Sequence, residues 1–249
     1  MGWFDFFKKE TFKDIDFSSI GVDFHSHLVP SVDDGVKTVE ETAEILDYFI
    51  SLGYKKIYTS PHIMGEGYKN NKADLLARFA DLKAHPLIQS KSIEFELIAE
   101  YFMDENLELL IEKEELLTFS NKRVLIETSM NYEFPNFNKI IFMLNSLKYK
   151  PILAHPERYA FIRDEKNAVN IYEELKDKGV QFQLNLFSLI GLYGNATQKM
   201  AETLIDQELI DYISTDIHHP RQLAFFDKLH ASKHLHKLLN SNLLKNHLL

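Results

Sequence analysis

The chain has 249 residues, of which 45% are hydrophobic and 26% charged, with a formal net charge of −9. That length suits one large α/β barrel with a sizeable core, whereas the acidic balance argues against a nucleic-acid partner, which needs a basic footprint. Without cysteine, disulfides, thiolate zinc sites and cysteine nucleophiles are excluded.

No run of about 18 apolar residues marks a transmembrane segment. The opening MGWFDFFKKE lacks the basic start and apolar core of a secretory signal, so a cytoplasmic location is the expectation. Residues 1–19 form an aromatic N-terminal extension. Its Trp3, Phe4, Phe6 and Phe7 are expected to plug the bottom of a barrel or, alternatively, to anchor the chain peripherally at the inner membrane face.

The first apolar, β-branched run is GVDFHSH (21–27), and a dense polar stretch follows it to Gly35. Thr38 and Glu41 then have capping-box spacing. Val39, Ala43, Leu46 and Ile50 share one helical face, and Gly53 stands where that helix would stop. Further strand-like runs are KKIYTSPH (55–62), IEFELIAEY (93–101), RVLIETSM (123–130), KPILAHPE (150–157), GVQFQLNL (179–186) and IDYISTDIH (210–218). His85 before Pro86 reads as loop. Asn195 is expected to cap a helix that turns Met200, Leu204 and Ile205 inward. From Arg221 to Leu249 the pattern predicts a long final helix with a frayed end, its His230, His234 and His236 solvated.

Seven strand-like runs alternating with helical patterns predict parallel βα units. No linker or low-complexity tract divides residues 1–249. The expected architecture is therefore a single α/β domain, a closed or nearly closed (β/α) barrel of about seven strands. An open doubly wound sheet is the competitor, but no glycine-rich phosphate loop follows the first run.

The chemistry gathers at the ends of these runs. Residues two apart on a strand face the same side, so His25 and His27 can chelate one ion, and Asp216 and His218 repeat the arrangement. His62, Glu100, Glu127 and His155 end the runs between them, and Asp34 follows the first. In barrels that rim is where active sites are built. Nine such groups converging without cations would repel one another and lose hydration. Divalent metals remove the conflict, and a histidine–carboxylate donor set suits manganese, iron or zinc. Blander roles exist for single members: a buried ion pair for Glu127, a helix-entry acid for Glu100, a loop cap for His62. Asp33 and Asp34 also suit a turn before Gly35. Asp23 is expected to orient the histidines from behind, and His219 to face away.

As an ordered set, DFHSH with DDG, then SPH, LIE, AHPERY and STDIHH, resembles the PHP (polymerase and histidinol phosphatase) superfamily. More narrowly, the chain is similar to its bacterial metal-dependent protein tyrosine phosphatases of capsule and exopolysaccharide operons, over roughly residues 20–230. The resemblance implies a distorted, TIM-like (β/α)7 barrel with three divalent ions, manganese first and iron or zinc as alternatives. By motif, the first ion would take His25, His27, Glu100 and Asp216. The second would take Glu127 and His155 with Glu100 as bridge, and the third Asp34, His62 and His218. Arg158 matches an arginine aimed at phosphate, and Arg221 a second one at a looser spacing. Two departures stand out: SPHIM replaces a motif with a second histidine, and Glu100 lies in IAEYF rather than GxE.

The implied reaction is hydrolysis of phosphotyrosine on protein, with the tyrosine-rich tail of a membrane-associated bacterial tyrosine kinase as partner. His218 or Asp34 could act as the acid toward the leaving oxygen. The competing expectations are a small-molecule phosphatase, such as one acting on histidinol phosphate, and a catalytically silent, metal-stabilised protein that docks on a kinase.

Overall fold

The computed structural model describes residues 14–249, so the cluster of Trp3, Phe4, Phe6 and Phe7 lies outside the described residues. In chain order the elements are β1 (Val22–Asp23), α1 (Val39–Ser51), β2 (Lys56–Thr59), β3 (His62–Ile63), α2 (Lys72–Ala84), α3 (Pro86–Gln89), β4 (Glu94–Leu97), β5 (Glu100–Phe102) and α4 (Glu105–Glu112). There follow β6 (Arg123–Glu127), α5 (Phe137–Ser146), β7 (Lys150–Ala154), α6 (Ala160–Arg163), α7 (Ala168–Asp177), β8 (Gln181–Asn185) and α8 (Asn195–Asp206). β9 (Tyr212–Ser214), α9 (Phe226–Leu229) and α10 (Lys233–Leu239) complete them.

Every strand pairing is parallel, in two sheets of order β1-β2-β4 and β3-β5-β6-β7-β8-β9. Two of the seven expected runs therefore break in the middle. The second breaks at Pro61, which has no N–H to give a ladder, and the third breaks beside it at Ile98 and Ala99. The halves stay in step across the gap: Ile98 donates its N–H to Thr59 O (2.9 Å) and Glu100 to Pro61 O (3.2 Å). An isolated parallel bridge joins Ser26 to Ile217, tying the first run to the last.

Helices start and stop much as their punctuation dictates. In α1 the Thr38 hydroxyl accepts the Glu41 N–H, but Glu41 reaches back to the Lys37 N–H (2.6 Å) rather than to Thr38, so the expected box is only half made. The inward face is Thr42, Ala43, Ile45, Leu46 and Phe49, while Val39 and Ile50 are only partly buried. Gly53 follows at a φ of 86°, and a Cβ there would stand 2.6 Å from that of Ser18. Asn195 is the first residue of α8 and not its cap; Gly194 takes that place. Leu204 and Ile205 are buried as expected, Met200 partly.

One core cluster lies between sheets and helices, and a smaller one holds Phe24, Tyr58, Ile98, Phe119, Leu125, Ile152, Ala154 and Tyr212. Leu125 stands two residues before Glu127 and Tyr212 two before Ser214, so this cluster floors the polar rim. Phe24 meets the Tyr212 ring edge-on at 5.4 Å.

The expected long final helix does not form. The chain instead makes a 3-10 segment (Pro220–Phe225), α9, α10 and a last 3-10 turn (Asn246–Leu248). Ser232 interrupts it by capping α10, its hydroxyl accepting the Leu235 N–H at 3.3 Å. The three histidines are not solvated either. His230 accepts the Ile15 N–H (2.9 Å) and lies edge-on to Phe17. His234 is buried, 3.5 Å from both Glu202 and Asp206, and His236 bonds the His230 carbonyl.

The end of the chain crosses the lower ends of the strands. Asn246 donates to Val22 O (3.0 Å) and Ile213 O (2.8 Å) and accepts the Ile213 N–H (3.1 Å). Leu249 packs on the smaller cluster, and its carbonyl accepts the Tyr58 hydroxyl. Asn246→Ala would strand three backbone groups in a 2%-exposed position. It should cost about 2–3 kcal/mol, read as a lowered urea midpoint at unchanged slope.

Candidate metal centre

The strand ends project their polar side chains into one space because parallel strands all finish on the same side. His25 and His27 follow β1 and are fully buried. The turn after them folds back underneath: Val36 donates to His27 O (3.1 Å) and Gly35 to Asp33 Oδ1 (2.9 Å). A Cβ at Gly35 would come within 2.2 Å of the His27 carbonyl oxygen, so only glycine permits this approach. His155, just after β7, and Asp216, after β9, hold left-handed backbone (φ 34° and 53°). Such conformations persist where surroundings over-determine them and cluster at functional sites.

Glu100 is the centre of the arrangement. Its Oε2 lies 3.0 Å from His25 Nε2 and 3.3 Å from both His27 Nε2 and His62 Nδ1, and its Oε1 lies 3.3 Å from His155 Nε2. Asp216 Oδ1 stands 3.2 Å from His25 Nε2, 3.4 Å from His27 Nε2 and 3.6 Å from His218 Nδ1. Glu127 reaches His62 Nδ1 at 3.1 Å and His155 Nε2 at 3.8 Å. Asp34, half exposed at the mouth, is 3.6 Å from His62 Nε2 and 3.5 Å from His218 Nε2. All nine residues singled out in the sequence thus meet in one place.

Three groups of donors could each hold an ion: His25, His27, Glu100 and Asp216; His62, Glu100 and Glu127; and His27, Asp34, His62 and His218. The first has the expected membership. In the other two, His62 is shared and His27 joins the mouth group, while His155 stands beside the second group through Glu100. Despite the short separations, His25 Nε2, His27 Nε2, His62 Nδ1 and Glu100 Oε1 are buried without a hydrogen bond. Buried polar atoms are rarely left so, and four of them converging, all nitrogen or oxygen, fit divalent cations.

The supporting contacts differ from the expectation for Asp23. Its carboxylate takes the backbone N–H of His25 (3.2 Å) and Thr215 (2.8 Å), not an imidazole. The rings are oriented by two other residues: Gln183 Oε1 lies 2.8 Å from His25 Nδ1, and Asp33 Oδ2 2.8 Å from His27 Nδ1. Asp33 also accepts the His62 N–H (3.1 Å), which makes it more than a turn former. Alternating polar residues in GVQFQLNL were the readable signal for Gln183 and Asn185; Asp33 read only as a turn residue beside Asp34.

Electrostatics follow from burial and proximity. For His25, burial opposes the charged ring, but the Glu100 and Asp216 carboxylates outweigh it and hold the pKa well above its usual value. Burial likewise opposes ionisation of Glu100 and Asp216, and the imidazoles nevertheless hold both well below the carboxylate range. Burial lowers His155, helped by the Arg158 charge. Burial alone pushes Asp23 to about 6 and Glu157 to about 7.

Arg158 closes one side, its Nη1 2.9 Å from Asp216 Oδ2 and its guanidinium 4.4 Å from the centre of the Tyr193 ring. On another side Tyr68 stacks parallel to His62 at 5.4 Å. Neither tyrosine was picked out from the sequence. Arg221 lies exposed in the 3-10 segment after His219, with no hydrogen bond or ion pair to these groups among the described residues. His219 does not join them either, and His85 caps α3 by accepting the Leu87 N–H.

Glu157 gives a pH test. Its pKa rises on folding because burial disfavours the charge, so the stability it permits is complete below its unfolded value near 4.5 and declines as pH climbs through about 7. Glu157→Gln should flatten that decline: the variant matches the parent at pH 5 and exceeds it in urea midpoint at pH 8.

Among known proteins, CapC of Staphylococcus aureus is 28% identical over 198 residues, 79% of this chain and 76% of that one. The tyrosine-protein phosphatase YwqE of Bacillus subtilis is 27% identical over 212 residues, 82% and 80% of the two chains. A solved structure from work on YwqE of Bacillus subtilis and CpsB of Streptococcus pneumoniae, described as metal-dependent tyrosine phosphatases, superposes with a TM-score of 0.78 at 25% identity over 89% of each chain. The histidinol phosphate phosphatase of Lactococcus lactis shares the fold at a TM-score of 0.53 and 11% identity, over 86% of this chain and 93% of that one. The family model for capsular polysaccharide synthesis, CpsB/CapC, matches residues 21–240, a span that holds every convergent donor, and the chain belongs to that family.

Proposed function

We propose that this protein is a metal-dependent protein tyrosine phosphatase that uses a (β/α)7 barrel to hold up to three divalent ions. The observation that carries the reading is the set of orphaned, converging nitrogen and oxygen atoms around Glu100 with an arginine beside it. Membership of the CpsB/CapC family supports it, as does the likeness to structures described as metal-dependent tyrosine phosphatases.

The proposed ligands are His25, His27, Glu100 and Asp216 for one ion, Glu100, Glu127 and His155 for a second, and Asp34, His62 and His218 for a third. Bound divalent cations would supply positive charge opposite the phosphate oxygens and activate a water nucleophile near neutral pH. The chain's own residues then have separable tasks. Gln183 and Asp33 hold the His25 and His27 rings in place, as second partners of metal-binding histidines do. Arg158 presents planar N–H donors matched to phosphate oxygens. The reaction is ArO–PO₃²⁻ plus water giving phenol and hydrogen phosphate. A phenol leaves more easily than an alkanol, its pKa being about 10, so its departing oxygen needs little help from a proton donor. Arg221, exposed three residues beyond His218, is proposed as a second arginine toward phosphate, at a looser spacing than Arg158.

The partner we favour is a phosphotyrosine-bearing protein, in particular the tail of a membrane-associated bacterial tyrosine kinase. Among the described residues no helix is long and apolar enough to cross a membrane.

Purified protein should contain divalent metal, and chelator should abolish turnover of a phosphotyrosine peptide. Glu100→Gln should lower the bound metal, because two donor groups lose their common member. Arg158→Ala should keep the metal and lose about 100-fold in kcat/KM, the scale expected for one charge-stabilising donor. Metal-free protein with full turnover, or strong preference for histidinol phosphate over the peptide, would overturn the reading.

A further inference from the structure

Arg158 is a long, flexible side chain, and a phosphate-binding arginine is useful only if its donors already point at the anion. Two contacts restrain it. Along one edge, Nη1 bonds Asp216 Oδ2 at 2.9 Å. Beneath its face lies the ring of Tyr193, with the guanidinium carbon 4.4 Å from the ring centroid. A guanidinium in that position is attracted to the ring's negative face, most strongly where water is displaced.

Tyr193 is itself fixed. Asn185 Nδ2 donates to its hydroxyl (3.1 Å) and to Asp216 Oδ2 (3.2 Å). Asn185 is fully buried, its own N–H held by Glu157 Oε1 (3.0 Å). Glycines bracket the tyrosine: Gly191 at a φ of 74° closes the 3-10 segment Leu186–Ile190, and Gly194 at 95° caps α8. Asp216 meanwhile divides its oxygens, Oδ1 toward His25 and His27 and Oδ2 toward Arg158 and Asn185. One edge and one face of the guanidinium are thus spoken for, and among the described residues its remaining donors have no hydrogen-bond partner.

We propose that Tyr193 is a positioning residue for phosphate binding: its ring is the platform that sets the plane of Arg158, with Asn185 linking platform and Asp216. This rests on the phosphatase reading for its functional consequence, and on geometry alone for the hold on Arg158. Tyr193 acts through the arginine and touches no reacting atom.

Four proteins test it: Tyr193→Leu, Tyr193→Phe, Arg158→Ala and the double variant Tyr193→Leu/Arg158→Ala, each checked for metal content. With metal unchanged, Tyr193→Leu should lose roughly 10-fold in kcat/KM on a phosphotyrosine peptide and weaken competitive inhibition by inorganic phosphate by a similar factor, the range of a desolvated cation–π contact. Tyr193→Phe keeps the ring and should stay within about 3-fold of the parent on both. Adding Tyr193→Leu to Arg158→Ala should cause no further loss. Equal losses in both backgrounds, or undiminished phosphate inhibition in Tyr193→Leu, would overturn the proposal. An independent readout is the Arg158 Nε–H proton resonance, which should carry an upfield ring-current shift in the parent and in Tyr193→Phe and lose it in Tyr193→Leu. If Arg158→Ala itself turned over normally, the phosphate role of the arginine would fall, and the resonance alone would decide whether Tyr193 holds it.

Discussion

One constraint organises the molecule: four imidazoles and three carboxylates cannot share a dry space unless every lone pair finds a partner. Glu100 stands in the middle of that problem, within 3.3 Å of His25, His27, His62 and His155. An unpaired carboxylate so buried would be neutralised or expelled; here the surrounding rings hold it ionised. The rest of the structure serves to hold those groups at fixed spacing. The parallel sheets align strand ends, the apolar cluster beneath them keeps the floor rigid, and the Gly35 turn wedges Asp33 against His27.

The same constraint explains why the support is richer than a bare donor set. Each fully buried ring needs its second nitrogen satisfied, and Gln183 and Asp33 do this for His25 and His27. Asp23 acts one step further back, pinning the backbone that carries His25 to the one that carries Asp216 through Thr215. Its ionised form is disfavoured by burial, so it contributes chiefly as a fixed acceptor between two strand ends.

Much of this was legible in the sequence. Donor positions at strand ends can be read because a strand's two-residue period and its punctuation are local properties. His25, His27, His62, Glu100, Glu127, His155, Asp216 and His218 all close apolar runs, and the structure brings them together with Asp34. What escaped notice depends on tertiary contact. Gln183 and Asn185 alternate within an apolar run but look like any amides until a ring lies opposite them. Tyr193 sits in an ordinary glycine-flanked turn. The final segment misled because helical composition from Arg221 onward outweighed Ser232, whose hydroxyl caps the start of a separate helix, α10. Its histidines pack inward against Ile15, Phe17 and α8, contacts that no local pattern encodes.

The shared ring of His62 has a wider consequence. Its Nδ1 faces Glu100 and Glu127 while its Nε2 faces Asp34. A neutral imidazole carries one proton and one lone pair, so a cation taken up at one nitrogen fixes which face remains to serve the other. Were ions held at both the inner and the mouth positions, their occupancies would be linked, and linkage is reciprocal. Ions would not load as strangers; each arrival would alter the affinity for the next.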